Sequence, residues 1–316
     1  VRLDRERELK SAGLLYDDGG SRGSPWPHRV AVVTTAATFL LILVGGVVTN
    51  TGTGMAVPDW PTTFGYNMFL YPWSKMVGGV LYEHTHRLLG SVVGSLTLTL
   101  AVLLWAVEPR RSVRGLGIAA LAAVVIQGVL GGLRVVLAAA GLAIVHGAFA
   151  HAVFALVAAI ALFTSPSWRA RIPVVRSRAA MRLRRLALWT TVGLYAQIVL
   201  GTLVTHLGAR VDAHLFGAAV VSVAVIALGF RVAPGRAEWP ELVRPAETLR
   251  VLWLLQLLLA AGAYVARFHP ADVPLGAALT LGFPVSHRLT GGLMLIASLV
   301  LTLRVYRRTG WSGVEA

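Results

Sequence analysis

Tyr82-Glu83-His84-Thr85-His86-Arg87 stands at the head of an apolar run that continues from Leu88 to Ala106. The run is long enough to cross a bilayer as a helix. An acid, two imidazoles and a guanidinium at its edge are costly there, which makes them functional candidates. Glu83 and His86 are three apart and share a helix face. His84 and His86 are two apart, so they point to different sides and do not serve one metal together. The working pair is Glu83 with His86.

Outward from this stretch the chain repeats the pattern. Of its 316 residues 56% are hydrophobic and 14% charged, and the mean hydropathy is +0.70. Such a chain is a polytopic membrane protein and not a soluble domain. Apolar runs occupy 30–49, 84–106, 115–137, 142–163, 186–205, 212–231, 249–266 and 285–305. Only helices, among open-ended elements, satisfy their own backbone in lipid. The expected fold is therefore an all-α bundle of eight transmembrane helices. Residues 1–29 read as a polar cytoplasmic arm, and 30–49 as a retained first span in preference to a signal peptide. With no cysteine in the chain, disulfides and thiolate chemistry are excluded.

The net charge of +15 would suit nucleic acid, but its distribution argues for topology. Twenty-three of the 29 Lys and Arg fall in the arm, in 107–114, 164–185 and 231–250, and from Arg304 to the end of the chain. The other six are Lys75, Arg87, Arg134, Arg210, Arg267 and Arg288. The positive-inside rule then puts both termini in the cytoplasm of a cell membrane. The basic residues serve topology and anionic lipid, with no nucleic-acid partner.

The two halves look related. Gly45-Gly46-Val47-Val48-Thr49-Asn50-Thr51-Gly52 ends the first run and Gly201-Thr202-Leu203-Val204-Thr205-His206-Leu207-Gly208 the fifth. Gln127 and Gln256 occupy the third and seventh runs, and His86, His146, His214 and His287 mark the even-numbered ones. This predicts two tandem, repeat-related four-helix bundles at 30–163 and 186–305, joined by a basic linker at 164–185 and followed by a tail at 306–316. Two neutral imidazoles on facing helices can hold a haem iron axially inside such a bundle. Four repeat-related histidines at one depth would make two haem sites; the competing reading has some of them cap helix ends or bond headgroups. His84, His151, His206 and His269 are expected to be loop, packing or solvated residues.

The repeat is chemically unequal. Glu83 precedes His86 by three, whereas Val211 precedes His214 by three. A haem that undergoes chemistry can use a neighbouring carboxylate as base or electrostatic stabiliser. The competing reading pairs Glu83 with Arg87 or Arg134 as a structural ion pair. Residues 50–61, with Asp59 and Trp60, suggest an outer lid. Arg87, Arg134 and Arg288 are candidates for propionate or lid contacts.

Together these stretches resemble the haem A synthase family. The resemblance rests on the loop from Thr49 to Pro61, on Glu83-His84-Thr85-His86-Arg87 and on Gln127-Gly128-Val129-Leu130-Gly131-Gly132-Leu133-Arg134. Ile144-Val145-His146-Gly147, Asp212-Ala213-His214 and Ser286-His287-Arg288-Leu289-Thr290-Gly291 carry it further. It implies a membrane oxidoreductase of haem A biosynthesis and cytochrome oxidase assembly. Such an enzyme oxidises a ring methyl of haem O to a formyl group by successive hydroxylations. By this resemblance Glu83 is catalytic, His86 and His146 hold the iron of the substrate haem, and His214 and His287 are axial ligands of a haem b cofactor that relays electrons. Haem O synthase and an electron acceptor such as a quinone are the implied partners.

The chain departs from the family in lacking the cysteine pair many members carry in the first outer loop. The place here reads Met55-Ala56-Val57-Pro58-Asp59-Trp60. The link near His206 to Val211 is short, and Leu215 follows His214 where Arg87 follows His86. The rival readings are a bis-histidine b-type cytochrome that only moves electrons, and a cation transporter. The transporter would need ligands near mid-membrane.

Overall fold

The computed structural model describes residues 24–170, 172–175, 177–235, 238–269 and 276–310. Among these, eight helices are long and apolar enough to cross a membrane. They are α1 (Trp26–Asn50), α2 (Gly79–Val107), α3 (Arg111–Val136), α4 (Ala140–Thr164), α5 (Arg178–Leu207), α6 (Val211–Val232), α7 (Pro240–Phe268) and α8 (Ala277–Thr309). No strand occurs among the described residues.

Every helix outruns its apolar stretch on at least one side. Hydropathy marks only the part of a helix that lies in lipid, whereas caps decide where it ends. Pro27 and Pro240 sit in the first positions of α1 and α7, where a missing N–H costs nothing. Ser177 caps α5 by accepting from Ala180 N at 3.1 Å. The helical part of the expected arm therefore begins at Trp26, and Arg178 to Arg185 of the expected linker form the first turns of α5. Residues 1–23 of that arm and 311–316 of the tail lie outside the described residues.

The short link between α5 and α6 is closed by two left-handed residues, Gly208 at φ 64° and Arg210 at φ 65°. Glycine takes this conformation without steric cost, so three residues suffice to reverse the chain.

Helices α1 to α4 pack in a ring, α1 on α2, α2 on α3, α3 on α4 and α4 on α1. Helices α5 to α8 pack in a second ring in the same order. The rings meet through α4 on α5, α8 on α1 and α8 on α4. Half of the most apolar segment of α4 and of α8 is buried, against 11–28% elsewhere, which makes these two the central helices. One apolar core lies in each ring, around Leu100, Leu104 and Ile160, and around Leu228, Leu249 and Leu301. Trp189, Phe216 and Phe230 stay 67, 74 and 75% exposed on outward faces. In a bilayer those faces meet acyl chains.

The arginine-rich end corrects one expectation. Several of its arginines bind helix-end carbonyls and so do more than set topology. Arg110 donates to Phe163 O at 2.9 Å, Arg184 to Gly310 O at 3.0 Å, Arg304 to Glu241 O at 2.5 Å and Arg308 to Glu238 O at 2.7 Å. Phe163 and Gly310 lie at the C-terminal ends of α4 and α8, where carbonyls lack intrahelical partners and cations suit the end, whereas Glu241 and Glu238 lie at and just before the start of α7. Glu108 binds Arg110 at 2.7 Å and Arg169 at 3.3 Å. Burial works to raise its carboxyl, but the two guanidinium groups outweigh it and hold it below its ordinary range.

Candidate haem site

The four repeat-marking histidines come together as two pairs. His86 on α2 faces His146 on α4, with ring centres 6.5 Å apart and planes at 75°. His214 on α6 faces His287 on α8, at 6.3 Å and 79°. Two imidazoles bound on opposite sides of one iron, each at about 2.0 Å, have ring centres about 6.3 Å apart. Both pairs therefore fit a six-coordinate haem iron. Among the described residues no group of three or more His, Asp or Glu converges as a metal cage.

The neighbouring helices are shaped to these rings. A Cβ on Gly45 of α1 would stand 2.9 Å from His86 Cε1, and one on Gly131 of α3 would stand 3.0 Å from His146 Cε1. Glycine at each place lets an imidazole lie against helix backbone. In the second pair, Gly201 of α5 would leave 3.5 Å to His214 Cε1.

Two glutamines fix histidine-bearing backbones and a third meets a histidine ring. Gln127 donates to His146 O at 2.9 Å. Gln197, with its amide oriented so that both atoms are satisfied, donates to His214 O at 3.0 Å and accepts from Ala218 N at 3.2 Å. Gln256 Nε2 lies 3.4 Å from His287 Nε2. The sequence reading missed Gln197, although an amide inside an apolar run was the same signal that marked Gln127 and Gln256. The Nδ1 atoms of His86, His146 and His287 and the Oε1 atoms of Gln127 and Gln256 are buried without a hydrogen-bond partner. The Nδ1 atoms of His86 and His146 lie on the side of α1 and α3, each 3.4 Å from where a Cβ on Gly45 or Gly131 would stand.

Glu83 is 4% exposed and fully engaged. Its Oε2 accepts from Val57 N at 2.9 Å and its Oε1 from Arg87 at 2.9 Å. The ion pair weighed against catalysis is thus present. Arg87 also donates to Val57 O at 2.9 Å, Asp59 O at 2.7 Å and Thr62 O at 3.0 Å. Its donors are spent on the loop, so it straps a lid. Arg134 does the same more lightly, donating to Gly54 O at 2.9 Å. Arg288 reaches Thr49 Oγ1 at 3.4 Å, from one ring to the other.

The lid itself is well tied. Asp59 accepts from Thr62 Oγ1 at 2.5 Å, Phe64 N at 2.7 Å and Gly65 N at 2.9 Å. Slight burial works to raise its carboxyl, but these hydrogen bonds prevail and bring it down to about 2. Trp60 packs its ring on Gly132 of α3, where a Cβ would collide with it. His84 turns away from His86, as expected. It is 1% exposed, pairs with Thr63 Oγ1 at 3.2 Å and lies against Tyr71 at 5.2 Å.

The remaining histidines lie outside the pairs. His151 is buried with Nδ1 2.9 Å from Gly147 O and its ring against Gly292 of α8. His206 faces Gly147 of α4, and His269 lies by Tyr264. His28, expected in the arm, stands in α1 with Nδ1 2.9 Å from Ala161 O.

A family model described as cytochrome oxidase assembly protein (COX15-CtaA) matches residues 28–314. A heme A synthase of Shouchella clausii (strain KSM-K16) is 31% identical over 105 residues, 33% of this chain and 34% of the relative. A heme A synthase of Alkalihalophilus pseudofirmus (strain ATCC BAA-2126 / JCM 17055 / OF4) is 29% identical over 103 residues, 32% and 33% of the two chains. The matched part spans about a third of the length of these relatives. The family match covers nearly the whole bundle and both histidine pairs, and the chain belongs to the cytochrome oxidase assembly protein (COX15-CtaA) family.

Proposed function

We propose that the protein is a haem A synthase, an oxidoreductase acting on a ring methyl of haem O. The observation that carries this is the pair of facing imidazole sets at 6.5 and 6.3 Å, each spaced for one haem iron. In this reading the two rings of helices are tandem repeats with unequal tasks. His86 and His146 hold the substrate haem by its iron. His214 and His287 hold a resident haem b, which supplies one-electron chemistry when bound. Both termini face the cytoplasm of the plasma membrane, and a quinone-like acceptor and haem O synthase are its partners.

The chain's own residues set up the reaction. His86 and His146 fix the substrate ring by the rigid helices α2 and α4, which restricts its motion relative to the protein. Glu83, Arg87 and the loop they strap close the end of that bundle against water. A carboxylate on the helix face of His86 stabilises positive charge developing at the methyl carbon and takes a proton as oxygen is added. Each hydroxylation takes its oxygen from water and releases two protons and two electrons, the electrons going to the quinone-like acceptor; two of them give a geminal diol, which loses water to leave the formyl group.

The test is direct. Extract the haems after co-expression with a haem O synthase and identify them by mass. Haem A in the extract of the wild type, and none in a His86→Ala control, supports the reading. The electron-transfer reading draws on the engagement of both Glu83 oxygens, and it gains if haem O alone is recovered from a fully haem-loaded protein.

A further inference from the structure

Helices α2 and α3 touch at the arginine-rich end and part towards the lid. Near the first end, Gly117 of α3 sits so close to Leu104 of α2 that a Cβ would stand 2.8 Å from its Cδ1. Farther along, Gly90 and Gly94 of α2 and Gly128 of α3 have open space where a Cβ would go, with no atom within 4 Å. The gap is a furrow of about 480 Å³, bounded by Gly94, Leu98, Leu121, Val125 and Gly128 under the ring of Trp60. Its lining is mostly apolar, with Ser91 and Ser95 of α2 the polar exceptions.

Its upper end lies towards the first histidine pair, since Ser91 and Gly94 of its lining follow His86 on α2 by five and eight residues. Gly90 is one helical turn from His86. Gly128 follows Gln127, which holds His146 O, and Gly131 cradles the His146 ring. A flat ring held between His86 and His146 therefore has an apolar exit beside it, leading between two helices towards lipid. The chemistry of the proposed substrate matches that exit, since haem O carries one long isoprenoid substituent that haem b lacks.

We infer that the furrow between α2 and α3 is the subsite for the isoprenoid substituent of the substrate haem, with Trp60 as its roof. This rests on the reading that His86 and His146 bind that haem. It makes the furrow the determinant by which the first ring of helices selects a tailed haem while the second takes a tail-less one. Bilayer acyl chains are the competing occupant.

Because a Cβ added at position 94 or 128 meets no atom within 4 Å, alanine there displaces no protein atoms and raises helix propensity, and a longer side chain extends into the furrow. The purified full chain carrying its resident haem is titrated with haem O and with haem b, and binding is followed in the Soret band. Wild type should take the tailed haem about tenfold more tightly or better. Gly94→Leu should weaken the tailed haem by about tenfold and leave the tail-less one within about twofold, at unchanged thermal stability. Gly128→Ala, a gentler filling, should move the ratio in the same direction. Equal affinity for the two haems in wild type assigns the furrow to lipid and overturns the inference. So does an equal loss for both haems, or no loss, in Gly94→Leu. If neither haem adds to wild type, or His86→Ala leaves both titrations unchanged, the underlying reading fails and this inference with it.

Discussion

Glu83 gives one carboxylate oxygen to the Val57 N–H and the other to Arg87, so charge and shape can be separated by one substitution. Glu83→Gln keeps an acceptor for Val57 and removes the negative charge. The variant should keep its haem through His86 and His146 while haem A falls by about 10²–10⁴-fold and haem O or a hydroxylated form accumulates. Mass analysis of extracted haem reads this, and wild-type haem A output would take Glu83 out of the chemistry. Asp59 makes a second test. Its carboxyl is held at about 2, below the ordinary 3.8. Its folded-state affinity for protons is thus lowered, and its contribution to the turn is complete above pH 3.8 and lost as pH falls through about 2. An acid protease should begin to cut the 59–66 turn only in that window, whereas Asp59→Asn should be cut already at pH 5. For the haem b proposed between the second pair, His214→Ala or His287→Ala should each strip a low-spin b-type spectrum from the purified protein. Retention at full occupancy in both variants would refute the ligand assignment. At this scale the histidine pairs were legible, because spacing and order carry them. The clamp of Arg87 on three loop carbonyls was not, because backbone acceptors leave no trace in residue identity.

Helices α1 and α3 are more than neighbours of the site, since each offers a glycine to an imidazole. Gly45→Ala or Gly131→Ala should push His86 or His146 out of line, at a cost of about 1–3 kcal/mol for overpacking. Haem should be lost from the first pair, and the spectrum of the second should stay intact. Gly201→Ala should be tolerated, because a Cβ there keeps 3.5 Å to His214 Cε1. Absorbance of the three purified variants decides it, and equal loss in all three would mean the glycines do not act by local clearance. The existence of all eight helices could be read from apolar length. Their ends could not, because α7 starts at Pro240, nine residues before its apolar run, and hydropathy does not register a proline at a first turn.

Across the whole molecule, the charge asymmetry sets an orientation that fusions can test. Reporters after Arg110, Arg178 and Arg244 should report cytoplasm, and one near Asp59 the opposite side. A cytoplasmic Asp59 would reverse the side on which both histidine pairs lie. The pairing of each odd helix's glycine or glutamine with an even helix's histidine gives the two rings a common plan. Their order was visible in sequence, whereas the central place of α4 and α8 needed the packing. The near-perpendicular imidazoles, at 75° and 79°, also have a magnetic consequence. Parallel rings would donate into one iron d orbital and split it from its partner. Crossed rings donate into both, leaving the two nearly degenerate and the unpaired spin strongly directional. Under the proposed ligation each oxidised low-spin haem should then give a single, extremely low-field resonance in frozen solution, in place of the three-line rhombic spectrum of coplanar ligands.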